Sequence, residues 1–478
     1  MRKSILLLIG SVVACMLSNF YIGYLESAVS TRYGYVNADG YPIYYAEWLP
    51  KMGEVKGTVI LLHGLGGSLE MMRWLGIELA RNGYRALAYD NLGHGRSGLR
   101  SISFNATLAS RIYLSLTEAL GVSAGEKLTL IGHSMGGFFA QEIAKIDSRV
   151  ERVFVVASRP YLNASIERVA VFAALDEIFS PIYVESWRVE ILPLDDHLTV
   201  LYNPSLADIV LSTTVGEGYV NLSFPRLIAT LVSSASALTA ALTAIYVVAS
   251  RLQRVQHQAV GRKPLPRLIL AAAAAAPLAF PLYLVLAPVV SLIAAYVLAC
   301  LYSQAIALSL VYRPRIRLSF TKVKVGVLLK SVAFSLTLFA LAYGGLSLSL
   351  QPFFNVRPSL FRASLIAAIF ALSLPPAVVF ESLVRAKLQQ TPFTRGLTAV
   401  VALRLASFIS AYAAARLVIG AQGLSGYLLI VTYVSLMLLI PLEVAAQTWY
   451  SKTGSWRENV LWLAFAHSLL LSAVTPLT

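Results

Sequence analysis

Charge is scarce in this chain. Only 13% of its 478 residues are Asp, Glu, Lys or Arg while 57% are hydrophobic, which excludes an ordinary soluble protein and makes a membrane protein the first inference. Acidic residues are scarcest beyond Leu227: residues 227–478 hold 3 against 20 Lys and Arg, whereas residues 1–226 hold 21 against 19. The formal net charge of +15 therefore belongs to the apolar half. There it clusters between hydrophobic runs, as the positive-inside rule requires of cytoplasmic loops, so no nucleic-acid partner is expected. The two cysteines, Cys15 and Cys300, lie far apart inside apolar segments, and neither a disulfide framework nor a metal site is indicated. Histidine is rare too, with six in the chain, which narrows the search for a general base.

What the chain has in quantity is long apolar stretches. Crossing about 30 Å of hydrocarbon at 1.5 Å per residue takes roughly 20 residues. Eight stretches of that length follow Leu227, at about 227–250, 268–286, 289–311, 325–349, 364–383, 397–418, 427–447 and 459–476. The N-terminal "MRKSILLLIGSVVACMLSNFYIGYL" adds a ninth: either a signal peptide or, the reading favoured, an uncleaved signal anchor or transmembrane helix over residues 1–30. With the N-terminus cytoplasmic, the inside segments carry 17 Lys and Arg against 2 (Arg357 and Arg362) in the short outside loops. Everything between the first and second spans is then extracytoplasmic. Within spans, Lys330, Glu381, Arg404, Glu443 and His467 are costly and invite a functional reading. The plainer expectation is snorkelling by Lys330 and Arg404 and an Arg404–Glu443 ion pair. "SLPPAVV" in the sixth span suggests a kink.

Residues 33–222 read differently. Short runs rich in Val, Ile and Leu alternate with helical patterns and with turns built on Gly, Asn and Asp. "TRYGYVN" and "YPIYYAEW" flank "ADG" as a hairpin, followed by "GTVILLHG", "YRALAYD", "KLTLIGH", "ERVFVVAS", "RVAVFAAL" and "WRVEILPL". Eight strands with helices between most of the later ones imply a mostly parallel α/β sheet entered through an antiparallel hairpin.

Within that unit "GHSMG" (132–136) fits Gly-x-Ser-x-Gly, with an apolar strand before it and the amphipathic "GGFFAQEIAKI" after it. Such a turn presents Ser134 as a nucleophile. "VILLHGLGG" (59–67) ends a strand in a His-Gly turn, where the N–H groups of Leu65 and Met135 would face a developing oxyanion. With "YDNLGHGRSG" (89–98), these motifs resemble the α/β-hydrolase superfamily, in the branch of monoacylglycerol lipases, serine aminopeptidases and small esterases. The likeness covers residues 33–220 and implies the chain order Ser, acid, His. "VAVFAALDEIFSP" (169–181) is similar to the family's strand 7 and its acid, nominating Asp176. "VEILPLDDHLTVLYNP" (189–204) is similar to strand 8 and the histidine loop, nominating His197. Asp195, Asp196 and Glu177 are rival acids, while His63, His94 and His133 belong to the motifs as structural residues. Only about ten residues, "SRPYLNASIE", separate strands 6 and 7. The cap usual in the lipase-like branch is therefore not expected, and the site should be open or be roofed by something else, the membrane surface and the outside loops of the membrane domain being the nearest candidates.

These readings imply an α/β-hydrolase domain (33–222) joined to an all-α polytopic membrane domain (227–478). The expected activity is serine hydrolysis of carboxylic esters, of lipids or acylated surface molecules, with the bilayer as partner and no cofactor. Three alternatives stay open: a serine peptidase, an acyltransferase, and a transporter or receptor whose α/β domain only binds. An intact triad disfavours the last, since binding does not need all three groups.

Overall fold

The computed structural model describes residues 2–97, 105–250, 265–290, 292–312, 360–388, 393–419, 424–453 and 456–474. They form two compact units: residues 16–233, and residues 1–15 with the described residues from 234 onward.

The first unit is built on one sheet. Its strands are β1 (Val29–Ala38), β2 (Tyr41–Pro50), β3 (Thr58–Leu62), β4 (Arg85–Tyr89), β5 (Leu128–His133), β6 (Val150–Val156), β7 (Glu167–Ala173) and β8 (Arg188–Leu192). They lie in the order β1-β2-β4-β3-β5-β6-β7-β8. β1 and β2 enter as an antiparallel hairpin, β2 pairs antiparallel with β4, and every later pair is parallel. The hairpin turns on Asp39 (φ 51°) and Gly40 (φ 83°), two left-handed residues that match the twist of the flanking strands. All eight expected strands are present.

Helices α2 (Arg73–Arg81) and α5 (Pro204–Thr214) cover one face, and α3 (Ala106–Ala119) and α4 (Met135–Ala144) the other. Side chains alternate between the two cores along β3: Val59 and Leu61 pack toward α2 and α5, Ile60 and Leu62 toward α3 and α4. Burial on both faces is why this strand reads as an unbroken apolar run, and each such side chain contributes about 1.5–3 kcal/mol. β6 and β7 are joined by residues 157–166 with no helix among them, so no cap is inserted there.

Two long apolar helices, α1 (Arg2–Leu25) and α6 (Ser223–Ser250), begin in one unit and end in the other. Within residues 16–233 both grip α2. Glu26, just past α1, receives Arg73 Nη1 at 2.9 Å, and Arg226 of α6 lies 3.6 Å from Glu26 and 3.3 Å from Glu78. Arg226 also donates to the Trp74 carbonyl at 2.6 Å and stacks 4.1 Å over the Trp74 ring. Arg81 bonds the Leu25 carbonyl. Asn19 of α1 donates to Ser233 of α6 at 2.7 Å.

The second unit is helical among the described residues: α7 (Leu265–Ala275), α8 (Ala279–Val290), α9 (Leu292–Tyr312), α10 (Leu360–Leu383), α11 (Phe393–Ile419), α12 (Leu424–Thr453) and α13 (Trp456–Val474). Counting both units, six helices among the described residues are long and apolar enough to cross a membrane, over 2–25, 223–244, 268–287, 294–312, 364–383 and 393–418. The expected span 325–349 lies outside the described residues, as does Lys330. The segment expected at 268–286 is interrupted by a 3₁₀ turn, Ala276–Leu278, because Pro277 has no N–H for the α-helical ladder. Pro375 and Pro376 lie inside α10 without ending it.

Four charged residues of this unit, Glu381, Arg385, Arg404 and Glu443, meet in one buried network. Arg404 donates to Glu443 at 2.7 Å, the expected pair, but it does not snorkel: both side chains are buried. Arg385 completes the group, donating to both oxygens of Glu381 (2.9 and 2.8 Å), to Gln447 (2.8 Å) and to Glu443. Gln304 bonds Arg404, and Asn459 donates to Glu381 at 3.0 Å.

Candidate active site

Strand β5 ends at His133, and the next residue turns the chain into α4. Ser134 there has φ 52° and ψ −116°, a conformation that L side chains rarely adopt, with its N–H held by the Val156 carbonyl at 2.9 Å. The turn depends on the flanking glycines. A Cβ on Gly132 would lie 2.1 Å from the Gly136 carbonyl oxygen, and one on Gly136 would lie 2.1 Å from the Leu62 carbonyl oxygen. Any larger residue would push α4 away from β3 and β5. Strain of about 1–3 kcal/mol is held by this packing.

Facing the turn is the loop after β3. The Gly64 carbonyl accepts from Gly67 N at 3.1 Å and from His63 Nδ1 at 2.8 Å, while His63 Nε2 accepts the Asn91 N–H at 3.0 Å. His63 is thus a neutral tautomer with its proton on Nδ1, and burial pushes its pKa down to about 3. With the Gly64 carbonyl fixed, the Leu65 N–H of the same trans peptide points to the opposite side. Gly64 abuts the nucleophile turn, since a Cβ there would sit 3.1 Å from Cβ of Ser134. The Met135 N–H, at the first position of α4, has no acceptor within the helix. Behind the loop, the Asp90 carboxylate accepts Leu69 N and Arg96 N, each at 2.7 Å. Burial outweighs those two bonds and raises Asp90 to about 7.

The loops after β7 and β8 bring Asp176 and His197 together. His197 Nδ1 lies 3.0 and 2.9 Å from the two Asp176 oxygens, and both side chains are buried. Asp176 Oδ1 also accepts Ile178 N at 2.8 Å and Phe179 N at 2.9 Å. Burial favours its protonated form, but the bond and charge of His197 and the two amides outweigh burial and hold the carboxyl below its usual range. The rival acids are engaged elsewhere. Asp195 bonds Asn203, Asp196 caps the turn at Leu198 and Thr199, and Glu177 accepts the His197 backbone N–H at 3.4 Å. The ring of His133, next to Ser134, lies 4.9 Å from the ring of His197. The Ser134 hydroxyl makes no hydrogen bond to His197 here; such bonds are often long before substrate binds.

Residues 57–194 match the family described as the alpha/beta hydrolase fold. The globular unit carries the α/β-hydrolase fold. Among curated relatives, a human putative protein-lysine deacylase, ABHD14B, is 28% identical over 120 residues, covering 24% of this chain and 56% of the relative. A monoacylglycerol lipase of Mycolicibacterium smegmatis is 26% identical over 188 residues, covering 37% and 65%. The chain thus spans less than two thirds of the length of either relative. A solved CIB-like hydrolase of Thermoplasma acidophilum is 17% identical with a TM-score of 0.32, covering 42% of this chain and 99% of that one.

The structural role expected of His133 takes a definite form, its Nε2 meeting the His197 carbonyl at 2.7 Å. The charges around α2 gave no local signal, because Arg226 and Glu78 are 148 positions apart; only the isolated basic residue at the start of an apolar run marked the place.

Proposed function

We propose that the chain is a membrane-anchored serine hydrolase that cleaves carboxylic esters through an acyl-enzyme. The reading rests chiefly on the Asp176–His197 pair, which follows the C-terminal ends of β7 and β8 as Ser134 on its strained turn follows that of β5. Ser134 Oγ attacks the ester carbonyl and His197 Nε2 takes its proton, while Nδ1–H stays bonded to Asp176, which fixes the tautomer and stabilises the imidazolium. The carbonyl oxygen, now negative, is held by the N–H groups of Leu65 and Met135. His197 then returns the proton to the departing alkoxide, and water, deprotonated by the same imidazole, releases the acid and restores Ser134. No cofactor takes part in these steps.

The substrate class follows from what surrounds the site. No helix is inserted between β6 and β7 as a cap, and the unit continues in sequence into the apolar α1 and α6, which favours esters carried by lipids or acylated surface molecules. The charge asymmetry of the loops supports an extracytoplasmic hydrolase with a cytoplasmic N-terminus. A fluorophosphonate probe should label the wild-type protein, and Ser134→Ala should abolish the label; label that survives in the variant, or none in the wild type, overturns the assignment. Rates on p-nitrophenyl esters should exceed those on aminoacyl anilides, the reverse marking a peptidase. Protease added to the outer face of oriented vesicles should reach residues 33–222.

A further inference from the structure

His133 is the last residue of β5 and is 1% exposed. Its Nε2 lies 2.7 Å from the His197 carbonyl oxygen. A carbonyl only accepts, so Nε2 carries the proton. Burial, with the neighbouring His197 second, lowers the His133 pKa to about 3, so the ring is neutral and Nδ1 is a bare acceptor. Among the described residues Nδ1 has no hydrogen-bond partner, and it faces Gly64, where an added Cβ would approach it to 2.7 Å. One imidazole thus touches the nucleophile turn, the loop of the general base and the oxyanion turn.

The main chain around His197 has few other ties to β5. The His197 side chain is bonded to Asp176 and its N–H to Glu177, both on the loop after β7. Of the polar atoms of His197, the carbonyl is the one bonded to the strand that carries Ser134. That bond sets how far the imidazole stands from Oγ. It also needs a neutral donor, because a fixed cation 4.9 Å from the His197 ring would oppose the imidazolium formed when Ser134 gives up its proton.

We infer that His133 is a positioning residue: its Nε2–H holds the His197 carbonyl and so sets the general base against Ser134. The inference rests on Ser134 and His197 acting as nucleophile and base. Full-length protein in detergent micelles, assayed with p-nitrophenyl butyrate, tests it through two variants. In His133→Leu, kcat should fall about 100-fold with KM within about twofold, as expected when a reacting group is misplaced but binding is kept. In His133→Gln, whose side-chain amide also donates, most of the loss should be recovered. Equal rates in His133→Leu and wild type overturn the inference, and so does a folded His133→Gln as slow as the Leu variant. If His133→Leu does not fold, nitrogen-15 spectra of histidine-labelled wild type decide: a proton on Nε2 of His133 supports the bond, and one on Nδ1 refutes it. Failure of the underlying reading shows separately, as fluorophosphonate label retained in Ser134→Ala.

Discussion

Around α2, three arginines (Arg73, Arg81, Arg226) meet two glutamates (Glu26, Glu78), whereas in the membrane unit two arginines (Arg385, Arg404) meet two glutamates (Glu381, Glu443). The membrane network is neutral, and Gln304, Gln447 and Asn459 supply hydrogen bonds that the ion pairs leave unmade. Among the described residues the network at α2 keeps one cation in excess, and Nε and Nη1 of Arg226 have no hydrogen-bond partner. A buried charge is tolerated only when paired and fully bonded, and the requirement is strictest where water is excluded altogether. The hydrolase side, within reach of solvent through the partly exposed Arg73, carries an imbalance that the membrane side does not.

Acid separates the hydrolase unit from its folded state more strongly than any single substitution should. His63 and His133 are lowered to about 3 and His94 to about 4, in each case chiefly by burial. Below the unfolded value of 6.5, the unfolded chain takes up three protons that the native state refuses, so stability falls as pH drops from 6.5 toward 4. Asp90, raised to about 7, works the other way, because native Asp90 is protonated in that range and the unfolded carboxyl is not. The net of about two protons corresponds to roughly 3 kcal/mol per pH unit. Denaturant titrations of the full-length protein at pH 7 and pH 5.5, read by loss of fluorophosphonate labelling, should show a clear drop in midpoint. An unchanged midpoint contradicts the buried, neutral histidines.

The second effect belongs to the membrane network. Glu443→Ala removes the shared partner of Arg385 and Arg404 and leaves an uncompensated cation in an apolar interior, a loss of about 3–5 kcal/mol. Glu443→Gln keeps an acceptor and should lose less. Thermal denaturation in detergent, followed by helical circular dichroism, measures both, and a wild-type midpoint in Glu443→Ala would mean that the network is hydrated.

These two networks also mark where the sequence stops being legible. The eight strands are readable because apolar runs covered on both faces are bounded by Gly, Asn and Asp turns. The meeting of Asp176 with His197 is readable because the resemblance implies an acid and a histidine on the loops after the last two strands. The Arg404–Glu443 pair is readable too, since isolated charges in apolar spans have few partners to choose from. Arg385 is not: it counts as one more basic residue at a cytoplasmic span end, although its guanidinium is buried and bridges two glutamates. His133 is legible only in part, for a related reason. Its motif position says that it packs, and only the fold says what its Nε2 meets.

The smallest expected effect is the one that tests the charge imbalance most directly. Arg226→Met removes the excess cation at α2 while its neighbours keep partners: Glu26 retains Arg73, and Glu78 retains Arg81 and the Leu222 N–H at 3.0 Å. The lost bond to the Trp74 carbonyl and the stacking on the Trp74 ring oppose the gain from no longer burying an arginine with two unbonded nitrogens. A Met side chain can still lie on that ring. The net change should fall within about 1 kcal/mol of zero, as for buried charges replaced by apolar residues of similar volume. Arg404→Met should behave differently, costing about 3 kcal/mol, because the membrane network is then left with two glutamates and one arginine. Thermal midpoints of the two variants in the same detergent give the comparison. Equal losses would mean that the excess cation at α2 makes no difference to stability.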